Sequence, residues 1–175
     1  MNPFYSLDVL NQANAVLKKE NIVELKQIFV SGSLPVIRTK ILSLKTKKEY
    51  HPLKHSWNVF EGAELDHILD SVGIIPALSA GFKMKHPKAK LYILRDGDYS
   101  LLHDDVSEEN GTVAFLDISD QWNNNWGGYL GIEQEKFELE PNSILITNLF
   151  GQRFFFKRIN HHANADKIII IIKSN

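Results

Sequence analysis

The sequence predicts an α+β domain, mainly β, with its helices in the first half, and three observations carry that expectation. From Leu91 onward, short apolar segments are punctuated by turn chemistry at Asp96-Gly97-Asp98, Glu109-Asn110-Gly111, Asn123 to Gly128 and Pro141-Asn142. Several short strands with such turns are the pattern of a sandwich or barrel. Before Leu91, apolar residues recur at helical spacing in two stretches. No internal repeat, low-complexity segment or linker interrupts the 175 residues, so a single domain is expected. Residues 1-90 form a helical and extended support region, and residues 91-175 the half that carries the candidate site.

Ser6 or Asp8 caps a first helix that carries Leu7, Leu10, Ala13, Val16 and Leu17 on one stripe. Ile22, Leu25 and Ile28 continue the apolar spacing to the turn signal at Ser31 to Pro35. Val36 to Leu44 reads as extended, and Lys45 to Lys54 as a polar loop whose lysines form a solvated surface. Glu61 to Ser79 is helical in character, with a stripe of Leu65, Ile68, Leu69, Val72 and Ile75 interrupted by Gly73 and Pro76. His51, His55, His67 and His86 read as surface or core-edge residues. In Phe154-Phe155-Phe156 alternate rings enter the core, and Trp122 and Trp126 either pack beneath a long turn or border the mouth of a pocket.

Apolar residues are 43% of the chain and charged residues 23%, with a net charge of -1, so neither disorder nor a nucleic-acid partner is indicated. With no cysteine, disulfides, Cys-ligated zinc and thiol nucleophiles are excluded together. The first residues lack the basic and apolar regions of a secretory signal, and Ile168 to Ile172 is far too short for a membrane span. No membrane association is expected, and the cytoplasm is the default location.

The candidate site is built on Leu91 to Asp105, LYILRDGDYSLLHDD. In an extended chain His103 and Asp105 share one face, about 6 to 7 Å apart along the backbone, and such a pair can grip one metal ion. A His-x-Asp pair plus a later His is the facial triad of non-haem Fe(II) oxygenases. After it come the apolar run Val113 to Ile118, then Trp126-Gly127-Gly128-Tyr129-Leu130, then Glu140-Pro141-Asn142-Ser143, and Leu149-Phe150 at a strand end. In this order the C-terminal half, Tyr92 to about Lys173, resembles the prolyl 4-hydroxylase-like branch of the Fe(II)/2-oxoglutarate oxygenases. The resemblance implies a double-stranded β-helix, a jelly-roll or cupin-like barrel, with the N-terminal helices packed on one face.

It also implies His103 and Asp105 as metal ligands for Fe(II), with 2-oxoglutarate as co-substrate. The third ligand departs from the pattern, because Lys157 stands where the distal His is expected. Either His161 or His162 supplies that ligand after a slip in register, although four residues carry a strand about 13 Å, or Lys157 occupies the altered position and leaves a degenerate site. The ammonium of Lys157 has no lone pair to offer a cation. A two-ligand site completed by the chelating 2-oxo acid is a further arrangement. The resemblance implies a basic residue about ten positions after the distal His to anchor the co-substrate's far carboxylate, and Lys167 is there. Further co-substrate contacts are implied just before the turn glycine, where Leu94 and Arg95 stand and where Tyr92 projects to the same face as Leu94.

The expected function is an Fe(II)- and 2-oxoglutarate-dependent hydroxylase acting on a peptide or small-molecule substrate. The alternative is a catalytically inactive binding module that keeps the barrel, and a second rival is a cupin-like metalloenzyme using His103 in non-oxidative chemistry.

Overall fold

The computed structural model describes residues 6–30, 32–100, 110–150 and 153–174. Helix α1 (Leu7–Glu20) starts at Ser6, whose hydroxyl accepts the Val9 amide, and buries Leu10, Ala13 and Leu17. Asn21 ends it in a left-handed conformation, with its amide returned to the Leu17 carbonyl. The apolar spacing carries on past Asn21 but the helix does not, and the chain enters strand β1 (Ile22–Lys26).

The segment read as extended, Val36 to Leu44, is instead mostly helix: α2 spans Ser33–Leu42 and buries Ile37 and Ile41, one turn apart. Its β-branched residues suggested a strand, but propensity is a weak prior beside a buried i, i+4 face. Pro35 sits in the first turn, where a missing amide costs little. The stretch read as a loop, Lys45 to Lys54, contains strand β2 (Lys47–His51) and the turn into β3 (His55–Glu61), with which β2 forms a hairpin. Lys47 and Lys48 are exposed on β2, the terminal strand of its sheet, where lysines discourage edge-to-edge pairing. Glu61 to Ser79 divides into α3 (Ala63–Ser71) and α4 (Ile74–Phe82) at Gly73, whose φ of 82° favours glycine.

The remaining strands are β4 (Lys88–Leu94), β5 (Tyr99–Ser100), β6 (Asn110–Asp117), β7 (Leu130–Ile132), β8 (Glu135–Phe137), β9 (Ser143–Phe150), β10 (Phe154–Phe156) and β11 (Lys167–Lys173). The large sheet runs β1-β9-β6-β11-β4-β3-β2, antiparallel throughout, with β5 pairing the start of β3. A small sheet, β10-β7-β8, faces it. From β4 to β11 the chain passes repeatedly between the two sheets, which is the winding of a jelly-roll, and the expected double-stranded β-helix is the observed architecture.

Period-two alternation divides the core into two clusters. Leu91 and Ile93 of β4, Ala114 and Leu116 of β6, Ile144 and Ile146 of β9, and Ile168, Ile170 and Ile172 of β11 meet the helices. Tyr92, Leu94, Val113, Phe115, Leu145, Ile169 and Ile171 face the small sheet. The helices therefore cover one face of the large sheet, and the small sheet covers the other. No helix among the described residues is long and apolar enough to cross a membrane.

Candidate functional site

His103 and Asp105, with Asp104 between them, lie outside the described residues, just beyond β5. What leads to them is well tied down. Asp98 is buried, and its carboxylate accepts the Ser56 hydroxyl at 2.6 Å and the Arg95 amide at 3.0 Å while pairing with Lys48. The turn glycine, Gly97, has φ +76° and donates to the Ile159 carbonyl, and the Ile159 amide returns to Asp98. The approach to the His-x-Asp pair is thus bolted to the chain that follows β10.

That following chain holds Lys157. Its backbone extends the pairing with β7, donating to Tyr129 and accepting from Gly128. Phe154 and Phe156 are buried between the sheets, whereas Lys157 is exposed. Together with Pro52, Tyr99, Ser100, Phe155 and Arg158 it lines a cleft of about 490 Å³.

His161 is held between Asp96 and Arg158, its Nδ1 2.7 Å from Asp96 Oδ1 and its Nε2 3.0 Å from a guanidinium nitrogen. A guanidinium only donates, so Nε2 accepts and Nδ1 carries the hydrogen. Both ring nitrogens are thereby engaged. His162 is exposed in the adjoining turn. Among the described residues, no group of three His, Cys, Asp or Glu side chains is arranged to hold a metal ion.

Lys167 faces the space between the sheets, on the side of Ile169 and Ile171, but it is only 1% exposed and its ammonium is fully partnered. Nζ lies 2.6 Å from Asp117 Oδ2, donates to the Leu139 carbonyl at 2.8 Å, and sits 4.9 Å from the centre of the Trp122 ring. Burial pulls its pKa down and Asp117 opposes that shift. Asp117 is itself fully buried, and its second oxygen accepts the Ser119 amide at 2.8 Å. Ser119 in turn accepts the Ile168 amide through its hydroxyl.

Tyr92 is buried against Trp57 and Phe156, and Arg95 lies at the surface beside Asp166. The rings of the two sheets touch directly: Phe115 of β6 meets Phe154 of β10 edge-on at 5.0 Å. Sequence reasoning passed over Asp117, although a carboxylate at an inward position of Val113 to Ile118 is a signal in itself, since buried charge requires a partner.

No family model and no curated protein matches the sequence. Solved structures do match. A Pseudomonas putida prolyl-4-hydroxylase superposes with a TM-score of 0.67 over 94% of this chain and 97% of its own, at 11% identity. A Trichoplax adhaerens prolyl hydroxylase, solved with a hypoxia inducible factor peptide fragment, gives 0.70 over 95% of this chain and 88% of its own, at 13% identity. The fold is that of the prolyl 4-hydroxylase-like 2-oxoglutarate oxygenases. A viral collagen prolyl hydroxylase from Paramecium Bursaria Chlorella virus-1, solved with 2-oxoglutarate, adds a TM-score of 0.62 over 91% of this chain and 99% of its own, at 10% identity. Three of the expected site residues, Lys157, His161 and Lys167, lie within the described part of this fold. Lys157 offers no lone pair, His161 has no nitrogen to spare, and Lys167 already holds a carboxylate.

Proposed function

We propose that this chain uses the oxygenase fold as a binding module, without the turnover that the fold supports in other proteins. The observation that carries this reading is the closure of the space between the sheets. Trp57, Tyr92, Phe115, Phe154 and Phe156 fill it with the chain's own rings, and Lys167 is sealed at its end. A co-substrate that binds between the sheets needs room and an available cation, and the chain offers neither among the described residues.

The ligand face under this reading is the cleft beside Lys157 and Arg158. Lys157 has no side-chain partner among the described residues, and Phe155 and Tyr99 supply apolar surface beside it. Two cations flanked by rings suit an anionic peptide or small molecule with an apolar portion.

The His103–Asp105 pair and the inward placement of Lys167 favour a second reading, an Fe(II)- and 2-oxoglutarate-dependent hydroxylase. An anaerobic Fe(II) titration of native chain, His103→Ala and Asp105→Ala, each with and without 2-oxoglutarate, separates the two. The binding module is expected to take up no stoichiometric iron in either condition. Uptake that needs both residues and tightens with the 2-oxo acid would establish the hydroxylase site and overturn the module.

A further inference from the structure

We infer that Lys167 and the Ser119 amide form a carboxylate-binding site that the chain fills with its own Asp117, and that removing this side chain opens the site to a free carboxylate. The inference rests on the jelly-roll placement of Lys167 and deepens the binding-module reading by stating why the anchor is closed.

The geometry is that of a receptor with its ligand in place. Asp117 Oδ2 is ion-paired with the Lys167 ammonium at 2.6 Å, and Oδ1 accepts the Ser119 amide at 2.8 Å, so one oxygen is held by charge and the other by a backbone hydrogen bond. The site is held independently of Asp117's side chain. Lys167 is also fixed by the Leu139 carbonyl and by the face of Trp122, and Ser119 is fixed through its hydroxyl to the Ile168 amide. Gly128 lets these groups come together. A Cβ there would stand 2.6 Å from Ile159 Cδ1 and 2.9 Å from the Trp122 ring. Removing the Asp117 side chain therefore leaves two donors aimed at a vacated, water-poor space of carboxylate size, with an ammonium that requires an anion.

A buried ion pair is also a costly way to fill a core. Replacing one by apolar residues of similar volume is often neutral or stabilising. The pair here stands where the resemblance implies a lysine for the distal carboxylate of 2-oxoglutarate, and the carboxylate on that lysine comes from the neighbouring strand β6.

The test is chemical rescue of Asp117→Gly with acetate, which replaces the deleted methylene and carboxylate. Chemical denaturation of D117G is compared in sodium acetate and in sodium chloride of equal ionic strength. For a site of about 10 mM affinity, about 100 mM acetate raises the folded-to-unfolded ratio about eleven-fold. Native chain and the double variant D117G/K167M are expected to show no such difference. An equal ratio in the two salts for D117G, or an equal acetate response in the double variant, would overturn the inference. Should D117G be unfolded in chloride, recovery of folded protein in acetate is the expected result, with Asp117→Ala and formate as the parallel pair. Failure of both pairs to recover overturns the inference as well. Stoichiometric iron uptake by the native chain would sink the binding-module reading and leave the acetate response intact, so the two failures are distinguishable.

Discussion

At the scale of single residues, the Lys167–Asp117 pair makes an asymmetric prediction. Lys167→Met leaves Asp117 buried with only the Ser119 amide, and breaking a buried pair in this way costs about 3–5 kcal/mol. Lys167→Met combined with Asp117→Leu removes both charges and should recover most of that loss. Urea denaturation of the two variants checks this, and a double variant no more stable than the single one would contradict it. The inward orientation of Lys167 was not legible from residue type, because five consecutive isoleucines carry no polar alternation to mark a face, and only the resemblance pointed to it. Asp117 was legible in principle, as a charge at an inward position of an apolar strand. The Leu139 carbonyl was not, since a backbone group brought in from 28 residues away leaves no trace in residue type. His161 shows the same limit, because its partners Asp96 and Arg158 are set by a turn whose path the sequence does not specify.

At the scale of elements, β10 separates core from surface by parity. Phe156 is fully buried and packs edge-on against Phe115 and Phe154, so Phe156→Ala should cost about 3–5 kcal/mol. Phe155 lies outside, over Gly131 and beside Tyr129, and Phe155→Ala should cost about 1 kcal/mol, an order-of-magnitude allowance for a partly buried ring. Thermal or urea unfolding of the pair measures the contrast, and equal losses would count against the assigned faces. The alternation of Phe154 and Phe156 was readable from the sequence, but the outward setting of Lys157 was not. Both Phe156 and Ile159 are buried, an odd separation, so regular alternation fails between them. Parity therefore carries no face from Phe156 to the residues beyond it, and Lys157 is exposed. Because Lys157 is exposed beside the cleft, not buried between the sheets, Lys157→His is expected to take up no more iron than the native chain. A rise beyond that in the Fe(II) titration would place residue 157 in the metal site. Helix α2 was missed for a different reason. Val36, Ile37, Thr39 and Ile41 are β-branched, and only the helices and sheet that α2 packs against decide that Ile37 and Ile41 lie one turn apart on a buried face.

At the scale of the whole molecule, the large sheet is shared by two cores, and that sharing governs how the protein comes apart. Helices and small sheet never need to touch, because β4, β6, β9 and β11 present one set of side chains to each. Damage on either side must therefore be felt through the same strands. Gly81 of α4 offers a lever on the helical side: a Cβ there would stand 2.7 Å from Leu10 Cβ, at the contact between α1 and α4. Gly81→Val should destabilise by about 1–3 kcal/mol through overpacking. The lever on the barrel side is Phe156→Ala. All three tryptophans lie on the barrel side: Trp57 belongs to its core, Trp122 packs on that core, and Trp126 packs on Trp122. Fluorescence thus reports the barrel, while far-ultraviolet circular dichroism is dominated by α1 to α4, the α-helices among the described residues, on the other face. If the shared sheet couples the cores, both probes should trace one coincident transition in native chain and in each variant, shifted by the full cost of either substitution. Gly81→Val that melted the helical signal before the fluorescence signal would instead mean that the helices form a cover the jelly-roll can shed, and the two cores would have to be treated as separate folding units.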